Sequence, residues 1–461
     1  MLNYIWLGLI GVAVLMGGYN TVVGHPGGIG EVGDASVAFA KTAVDLALGL
    51  LGVMTLWLGL MRLADKAGLV KRLGMALKPI LLWLFPDVPA DHPAMGAIVL
   101  NVSANILGLN NAATPLGLRA MDELNKLNSR PGAATNAMCM LLAINTSSIT
   151  LIPVTAIGLL ALYHGKNPTV IIGTSLAATA VAQFFAITTC KLLERTAWSR
   201  RQFEEVPRIS AGSGDAAPSS AAVEGGQIEK KAAETDASLP WVPGSKWILA
   251  LAGGIFVALL LAIAFPELIG GKPSPELAAH VWPVRIIDAL SMLVLPWLIL
   301  LFPLYAVLRK IPVYDEFVQG GKEGFTVILR ILPYIVAMVV ATGMFRAAGG
   351  MDFIRWALSP ITDFIHFPSE LVPIAMIRPF SGTAALALLT DLVKSPAYGP
   401  DNLITLMAAT FYGCSETTFY VIAVYFGSVG IRKTRHAIPA GLVADTVGPI
   451  AAVLVCRAVL G

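Results

Sequence analysis

Charged residues are scarce in this chain: Asp, Glu, Lys and Arg make up 13% of its 461 residues. An average soluble domain has about 25%. Acidic and basic residues nearly balance, at 29 and 32, so there is no excess of basic charge for nucleic acid, and we expect no nucleic-acid partner. Apolar residues make up 56% of the chain. This composition excludes a soluble protein with a solvated surface and predicts that a lipid bilayer surrounds most of the molecule.

Cysteine pairs and catalytic motifs are also lacking. The four cysteines form no C-x-x-C pair, so the sequence predicts neither a disulfide framework nor a zinc site. The six histidines include no H-x-x-x-H or H-E-x-x-H pair, and we identify no Walker loop or paired carboxylates. We therefore expect no metal, no cofactor and no enzymatic activity.

Long apolar segments fill most of the chain. A membrane-crossing helix needs about 20 mainly apolar residues, and the predicted fold is an all-α, polytopic integral membrane protein with about 12–13 membrane segments. Segments 73–86 and 351–367 are short for a span and could be tilted, partial or re-entrant. The candidate segments are 2–20, 42–61, 73–86, 93–118, 134–162, 169–192, 247–265, 286–307, 325–345, 351–367, 371–393, 403–429 and 437–460.

One stretch interrupts this pattern. Residues 196–246 are rich in Ala, Gly, Ser, Glu and Lys, a composition that cannot bury a core and that favours a flexible linker. The predicted organisation is a first membrane half over 1–195, this linker, an extra connecting transmembrane helix over 247–265, and a second membrane half over 266–461.

The two membrane halves resemble each other. Gly68 aligns with Gly349 at an offset of 281 residues, and further on Gly173 aligns with Gly441 at an offset of 268. Basic loops should face the cytoplasm, which places the N-terminus and the linker there and the C-terminus in the periplasm. The halves then have opposite orientations. The sequence thus predicts inverted repeats with broken or re-entrant helices, a design that puts a transporter's site where the repeats meet.

Polar residues cluster inside two apolar segments of the first half, 93–118 and 134–162. Buried amides and hydroxyls in a broken helix could bind a polar solute. They could equally hydrogen-bond between helices and only hold them together. The candidate solute-binding residues of this half are Asn101, Ser103, Asn105, Asn110, Asn145 and Ser147.

The second half adds charge to the same pattern. A carboxylate inside a membrane segment is a functional-site hypothesis by default, so Glu416 and Asp445 are candidates to carry a coupling proton or sodium ion. Glu416 could instead pair with Arg378, and Asp445 could serve in capping or packing. Arg378 could clamp an anion beside a helix that starts after Ser381, or it could reach lipid headgroups. The candidate solute-binding residues of this half are Arg378, Ser381, Thr383, Ser415, Glu416 and Thr418.

Several of these motifs resemble those of a known family. The segment from Leu100 to Thr114 and the run from Ala143 to Ser148 are similar to spore maturation protein A. The second half resembles spore maturation protein B through the runs 314–324, 377–382 and 411–418. The chain looks like a fusion of the two. Both belong to the nucleoside-recognition, or Gate, superfamily of membrane proteins.

The resemblance implies a polytopic protein of the bacterial inner membrane with transporter-like repeats. In spore formers the separate proteins are associated with maturation of the spore. We predict a secondary transporter or permease for a small polar solute, nucleoside-like, amino-acid-like or other, that binds at the interface of the repeats. A non-transporting membrane scaffold or sensor and a channel are the open alternatives. A second copy of the chain, in a homo-oligomer, is a further candidate partner.

Overall fold

A computed structural model describes residues 2–107, 110–207, 241–272, 281–364 and 366–461. Its secondary structure over these ranges is helical, with one isolated backbone bridge between Ala133 and Lys433. Six helices are long and apolar enough to cross a membrane, or seven if a pair bent by 73° before Gly350 is one span. The all-helical, multi-pass membrane fold predicted from the sequence is therefore confirmed.

The first half contains nine described helices, and the last of them, α9, falls inside the range that the sequence assigns to the linker. Most of that linker, 208–240, lies outside the described residues. The helices are α1 (Leu2–Val23), α2 (Ile29–Lys66), α3 (Leu69–Leu84), α4 (Pro93–Leu107), α5 (Asn110–Lys126), α6 (Asn136–Thr146), α7 (Val154–Leu162), α8 (Ile171–Glu194) and α9 (Ala197–Glu204).

The second half repeats the order of α2 to α8 in its helices α12 to α18. Each repeat has a long helix, a short amphipathic helix, a helical hairpin, a broken helix and a final long helix. The helices are α10 (Ser245–Ala264), α11 (Trp282–Leu308), α12 (Val313–Ala347), α13 (Gly350–Phe364), α14 (Val372–Ile377), α15 (Gly382–Lys394), α16 (Leu403–Cys414), α17 (Thr418–Ser428) and α18 (Ala437–Val459).

The unbroken spans are fewer than the predicted segments for a physical reason. Four apolar segments, 93–118, 134–162, 371–393 and 403–429, each fold as two shorter helices. Apolar length alone does not distinguish a span from a hairpin or a broken helix. Pro, Ser and Thr in the middle of such a segment interrupt the helical hydrogen bonds, and the chain can then turn or reverse.

The aligned glycines mark equivalent turns. Gly68 follows α2 with φ +78°, and Gly349 follows α12 with φ +83°. Left-handed backbone of this kind is readily adopted only by glycine. Each long helix therefore ends at the same point of its repeat, and in the second repeat α13 leaves α12 at an angle of 73°.

The long helices α2 and α12 show how the repeats are related. They pack side by side, with Gly27 beside Ala347 at one end and Arg62 paired with Glu316 at the other. The start of α2 therefore lies beside the end of α12, and the end of α2 beside the start of α12. These equivalent helices are antiparallel. The repeats are thus inverted with respect to each other, as predicted.

Two faces of the molecule are joined by loops from both repeats. On one face the loop before α6 pairs with the loop before α18, where the Ala134 amide donates to Lys433 O at 2.9 Å. On the opposite face the Lys166 amide of the loop before α8 donates to Asp401 Oδ1 at 2.8 Å. Along the chain, the interruptions of both broken helices fall between the loops of these two faces.

Candidate functional site

The two broken helices end in the same way. The hydroxyl of Ser147, just past α6, donates to Ala143 O at 2.7 Å, and the hydroxyl of Ser415, just past α16, donates to Phe411 O at 3.2 Å. These serines are equivalent at the 268-residue offset. A hydroxyl that bonds back to the carbonyl four residues earlier competes with the backbone ladder and favours a bend. The local sequence therefore interrupts both helices at matching places.

The interrupted tips touch each other. The backbone N–H of Glu416 donates to Thr146 O, the last residue of α6, at 3.2 Å. Gly441 of α18 lies against the same junction, since a Cβ there would be 2.6 Å from Thr418 Cγ2 and 3.7 Å from Thr146 Oγ1. Residues from both repeats thus meet at one point, and the polar groups around this junction form the candidate site.

A closed network of amides lies on the first-repeat side. Asn145 Nδ2 donates to Asn101 Oδ1 at 3.0 Å and to Leu141 O at 2.8 Å. Asn105 Nδ2 donates to Asn145 Oδ1 at 2.8 Å, and Asn101 Nδ2 donates to Ala113 O at 2.7 Å. Asn145 and Asn101 are buried. The structure thus joins three of the predicted asparagines, and its own groups engage their amides.

Tyr425 of α17 completes this network and was not predicted from the sequence. Its hydroxyl donates to Asn145 Oδ1 at 3.2 Å. Gly117 of α5 makes room for the phenol, because a Cβ at Gly117 would be 2.2 Å from the Tyr425 oxygen. A glycine inside an apolar helix was the available sign of a close neighbour, but nothing local identified that neighbour as a tyrosine of the other repeat.

The other predicted residues of this half do not join the network. Ser103 is buried, and its hydroxyl donates within α4 to Val99 O at 2.7 Å. The hydroxyl of Ser147 is bonded to Ala143 O, as described above. The side chain of Asn110 lies outside the described part of the structure.

Arg378 organises the second-repeat side. It lies at the end of α14, is 5% exposed, and directs its guanidinium at the interruption between α16 and α17. Its Nε donates to Ser415 Oγ at 3.2 Å, Nη1 to Thr417 Oγ1 at 3.4 Å, and Nη2 to Tyr412 O at 3.1 Å and to Ser415 O. The guanidinium also lies 4.5 Å from the centre of the Tyr412 ring, a cation–π distance.

This geometry assigns Arg378 a buried position instead of a lipid-headgroup contact. Its donors hold carbonyl and hydroxyl groups of the interrupted helix, which would otherwise lack partners. Gly382 accommodates it, because a Cβ there would be 2.8 Å from Nη1. Thr417 and Tyr412, which complete the clamp, were not among the predicted site residues.

Ser381 and Thr383 lie beside the clamp, at the start of α15. The hydroxyl of Ser381 accepts the Ala384 amide at 3.2 Å and lies 3.2 Å from Thr383 Oγ1. Ser381 is therefore the N-cap of α15, and a helix does begin after it as the sequence predicted. Both hydroxyls are engaged in this cap.

Glu416 differs from its neighbours because it is exposed. It lies between the buried residues Ser415 and Thr417, and its carboxylate forms no ion pair with Arg378, although both side chains are described. The two charges therefore have separate surroundings. Arg378 is enclosed by the interrupted helix, and the Glu416 carboxylate faces open space beside the junction.

Asp445 and Thr418 lie on the other side of the same junction. Asp445 of α18 is 7% exposed, and neither carboxyl oxygen has a hydrogen-bond partner. Thr418, the first residue of α17, is fully buried, and its hydroxyl also lacks a partner. Of the predicted site residues with described side chains, these two alone are buried without a hydrogen bond.

This architecture defines a class of membrane protein: two inverted repeats with hairpins and discontinuous helices, as recurs in secondary transporters. The Gate family, described as nucleoside recognition, matches residues 47–162 and 328–432, which are central parts of both repeats. The chain belongs to the family of spore maturation proteins A and B, and relatives of both types match it.

Both relatives align with this chain over nearly their whole length. Spore maturation protein B of Bacillus subtilis (strain 168) is 44% identical over 178 residues, which are 39% of this chain and 99% of that protein. Spore maturation protein A of the same strain is 40% identical over 202 residues, which are 44% of this chain and 98% of that protein. They cover different parts of the chain, consistent with a fusion.

One solved structure also aligns over most of the chain. It is the crystal structure of the YdaH transporter of Alcanivorax borkumensis, at 13% sequence identity and a TM-score of 0.44. The alignment covers 92% of this chain and 86% of the other.

Proposed function

We propose that this protein is a secondary transporter or permease that moves a small polar solute across the bacterial inner membrane. The solute binds where the tips of the two broken helices meet. The observation that carries the proposal is the exposed carboxylate of Glu416, whose own backbone is bonded to Thr146 of the other repeat. A movement of one repeat against the other therefore changes the surroundings of this charge.

Energetics support a functional role for Glu416. An ionised carboxylate at membrane depth is costly unless it meets water, a cation or a hydrogen-bond donor. Arg378 does not pair with Glu416, so the carboxylate is available to accept a hydroxyl or amine of a solute, or to hold a coupling proton or sodium ion. These properties favour a role for the carboxylate in solute or ion binding over a role in helix packing.

One member of an aromatic pair, Phe419, lies close to Glu416 in the chain. Phe380 and Phe419 stack with their ring centres 4.7 Å apart and their planes at 14°, and the Phe419 amide donates to Pro379 O at 3.0 Å. This contact ties the tip of α17 to the loop before α15. A carboxylate and a flat aromatic pair, both near the start of α17, suit a solute with a polar donor group and an apolar face.

The basic face supports the orientation. Arg72 and Arg309 both lie over the ring of Trp241, at 4.4 and 4.8 Å, which brings basic residues from both repeats together. We place this face, with the N-terminus and the linker, in the cytoplasm, and the C-terminus in the periplasm. In this proposal the chain is a transporter and not an enzyme.

The asparagine network favours a packing role in the first repeat. The amides of Asn101, Asn105 and Asn145 already bond to one another and to carbonyls, as expected for polar groups that hold membrane helices together. If the whole site behaved in this way, the protein would be a membrane scaffold. Among the described residues at the junction, the charged group available to a solute is Glu416 of the second repeat.

A ligand screen on the purified protein tests the proposal. The panel holds nucleosides, nucleobases, amino acids, dicarboxylates and polyamines, each with sodium or potassium at two pH values. A ligand at a hundred times its Kd stabilises the folded state by about 2.7 kcal/mol, which a thermal-shift assay detects. Solutes that stabilise the protein are then followed in uptake into proteoliposomes.

Glu416→Gln is the critical variant, and Glu204→Gln, on the exposed end of α9, is its matched control. We expect the control to keep both the thermal shift and saturable uptake, and Glu416→Gln to fold but to lose uptake. Uptake that survives unchanged in Glu416→Gln contradicts the assigned role. Flux that never saturates would indicate a channel instead, and no shift with any solute would favour a scaffold.

A further inference from the structure

One buried acid of the candidate site has no role in the solute contact proposed at Glu416. Asp445 lies in α18, one helical turn after Gly441, which touches the junction of the broken helices. It is 7% exposed, and both carboxyl oxygens lack a hydrogen-bond partner. The Thr418 hydroxyl lies near the carboxyl group and is fully buried, but the geometry between the two groups is not that of a hydrogen bond. Two adjacent polar groups are thus buried and unsatisfied in one place.

The groups that face Asp445 do not neutralise an ionised carboxylate. From α14, Arg378 acts on it only at a distance, because its guanidinium is bonded to Ser415, Thr417 and Tyr412. From α16, the Cys414 thiol donates to Gly448 O at 3.8 Å. Among the described residues, the groups that act on the Asp445 carboxyl are Arg378 and the neutral Thr418. Next to Gly441 and Gly448, on the same helix, lie Thr146 of α6 and Ala182 of α8, which are also uncharged.

A cavity that opens to the outside is lined in part by Asp445. It has a volume of about 260 Å³ and lies between α13, α14 and α18. Its lining holds Asp445, two threonines (Thr362 and Thr446) and otherwise apolar side chains such as Phe367 and Met376. Water can enter a cavity of this size, but apolar walls do not hold it firmly. The site is therefore reachable by a proton while offering few ligands to a larger ion.

Desolvation decides which form of the carboxyl group suits this place. An ionised carboxylate without donors is far more costly to bury than a neutral acid, which has one proton to donate and fewer unmet lone pairs. Among the described residues, no group of three or more His, Cys, Asp or Glu side chains is placed to hold a metal ion. A proton needs only the carboxyl group and a small polar neighbour.

We propose that Asp445 and Thr418 form a proton-binding site, in which the Asp445 carboxyl group carries a proton in this conformation and transfers it to cavity water when α17 moves. The transfer leaves a carboxylate and a hydronium ion, so charge and atoms balance. Thr418 begins the helix that follows Glu416, so solute binding at Glu416 and proton binding at Asp445 act on the same tip. This coupling rests on the proposed transport function, whereas the protonated state does not.

Infrared difference spectroscopy on the full-length protein at neutral pH tests the protonated state. A protonated carboxyl group has a carbonyl stretch that is separate from the bands of an ionised carboxylate. We expect one such band in the wild type, its loss in Asp445→Asn, and its retention in the control Asp34→Asn, which changes an exposed acid of α2. Thr418→Val keeps the acid and removes its polar neighbour, so it should shift the band even if Asp445→Asn folds poorly.

Three results would overturn the proposal. The first is an infrared spectrum that is unchanged in Asp445→Asn. The second is an unshifted band in Thr418→Val. The third is a thermal stability that rises with sodium over potassium in the wild type but not in Asp445→Asn, which would make the site a sodium site.

The transport arm separates this inference from the proposed function. In proteoliposomes, an imposed pH gradient should accelerate uptake of a stabilising solute in the wild type but not in Asp445→Asn, whereas Glu416→Gln takes up no solute with or without the gradient. Uptake that responds to the gradient equally in wild type and Asp445→Asn overturns the coupling and leaves the proposed function standing. Loss of the infrared band together with an absence of any solute uptake keeps the proton site and contradicts the transporter.

Discussion

The two helix interruptions share a backbone design and differ in what satisfies them. In the first repeat, neutral amides of Asn101, Asn105 and Asn145 bond to one another. In the second, one buried cation, Arg378, holds the broken ends, while the nearby acids Glu416 and Asp445 make no bond to it. The interruption is thus enclosed by a packing network in one repeat and lies beside an open, charged site in the other. We expect solute and ion binding in the repeat whose polar groups lack hydrogen-bond partners within the protein.

Removing the cation should give the largest effect on this contrast. Arg378→Gln takes away most donors to Ser415, Thr417 and the Tyr412 carbonyl, and hydrogen bonds from a charged group contribute about 1.5–3 kcal/mol each. We expect a loss of about 3 kcal/mol in stability, measured as a large fall in Tm of the purified protein.

A conservative variant tells charge from geometry at Arg378. Arg378→Lys keeps the charge but not the planar fork, so it should recover only part of the lost stability. A full recovery would mean that the charge alone holds the interruption. A Tm unchanged in Arg378→Gln would show that the clamp does not hold α16 and α17 together.

The local half of this design could be predicted from sequence. The turns at Gly68 and Gly349 and the serines at 147 and 415 recur at fixed offsets, because each depends only on neighbours in the chain. The cap at Ser381 was predictable for the same reason. These features define the repeats and place polar residues in the middle of apolar segments, a pattern that predicts the candidate residues.

The partners across the junction could not be predicted. Tyr425 belongs to the opposite repeat from Asn145, and its approach depends on how α17 docks against α5. The exposure of Glu416 likewise depends on packing, since the same acid next to a buried arginine could have formed an ion pair. That these segments hold broken helices was predicted from their polar residues, whereas the way the broken tips meet was not.

The asparagine network should give a smaller effect than the arginine clamp. Asn145 is its centre, with bonds to Asn101, Asn105, Tyr425 and Leu141 O, yet polar contacts between membrane helices contribute only about 0.6 kcal/mol on average. We expect Asn145→Ala to cost about 1–2 kcal/mol in stability, and Tyr425→Phe about 0.6 kcal/mol, from chemical denaturation of the purified protein.

Solute binding sharpens the same test. If the first repeat is a packing network, Asn145→Ala lowers the Tm but leaves the ligand-induced thermal shift at its wild-type size. A variant that keeps its Tm and loses the shift would place the solute in the first repeat. In that case the first repeat would bind the solute and the second would serve in packing.

The starts of the final helices provide the last contrast between the repeats. The loop before α8 is tied to the second repeat by the Lys166–Asp401 bond. The loop before α18 is held by more: His436 is fully buried with Nδ1 2.7 Å from Ser199 Oγ, and Arg435 donates to Ser199 O at 3.0 Å. Helix α9 is thereby bonded to the loop before α18, and one of the bonded groups, the His436 imidazole, can titrate.

The smallest effect at neutral pH should come from this histidine. Burial, and then the nearby Arg435 and Lys191, lower the pKa of His436 to about 3, whereas an unfolded histidine has a pKa of about 6.5. The unfolded chain therefore binds a proton between these values that the folded chain does not, so the contribution of His436 is complete above about pH 6.5 and is lost as the pH falls toward 3. We expect His436→Gln to flatten this part of the stability profile in denaturation measured from pH 7 to pH 4. His25→Gln, at an exposed position, should keep the wild-type slope, and equal slopes in all three proteins would show that α9 is not fastened through His436.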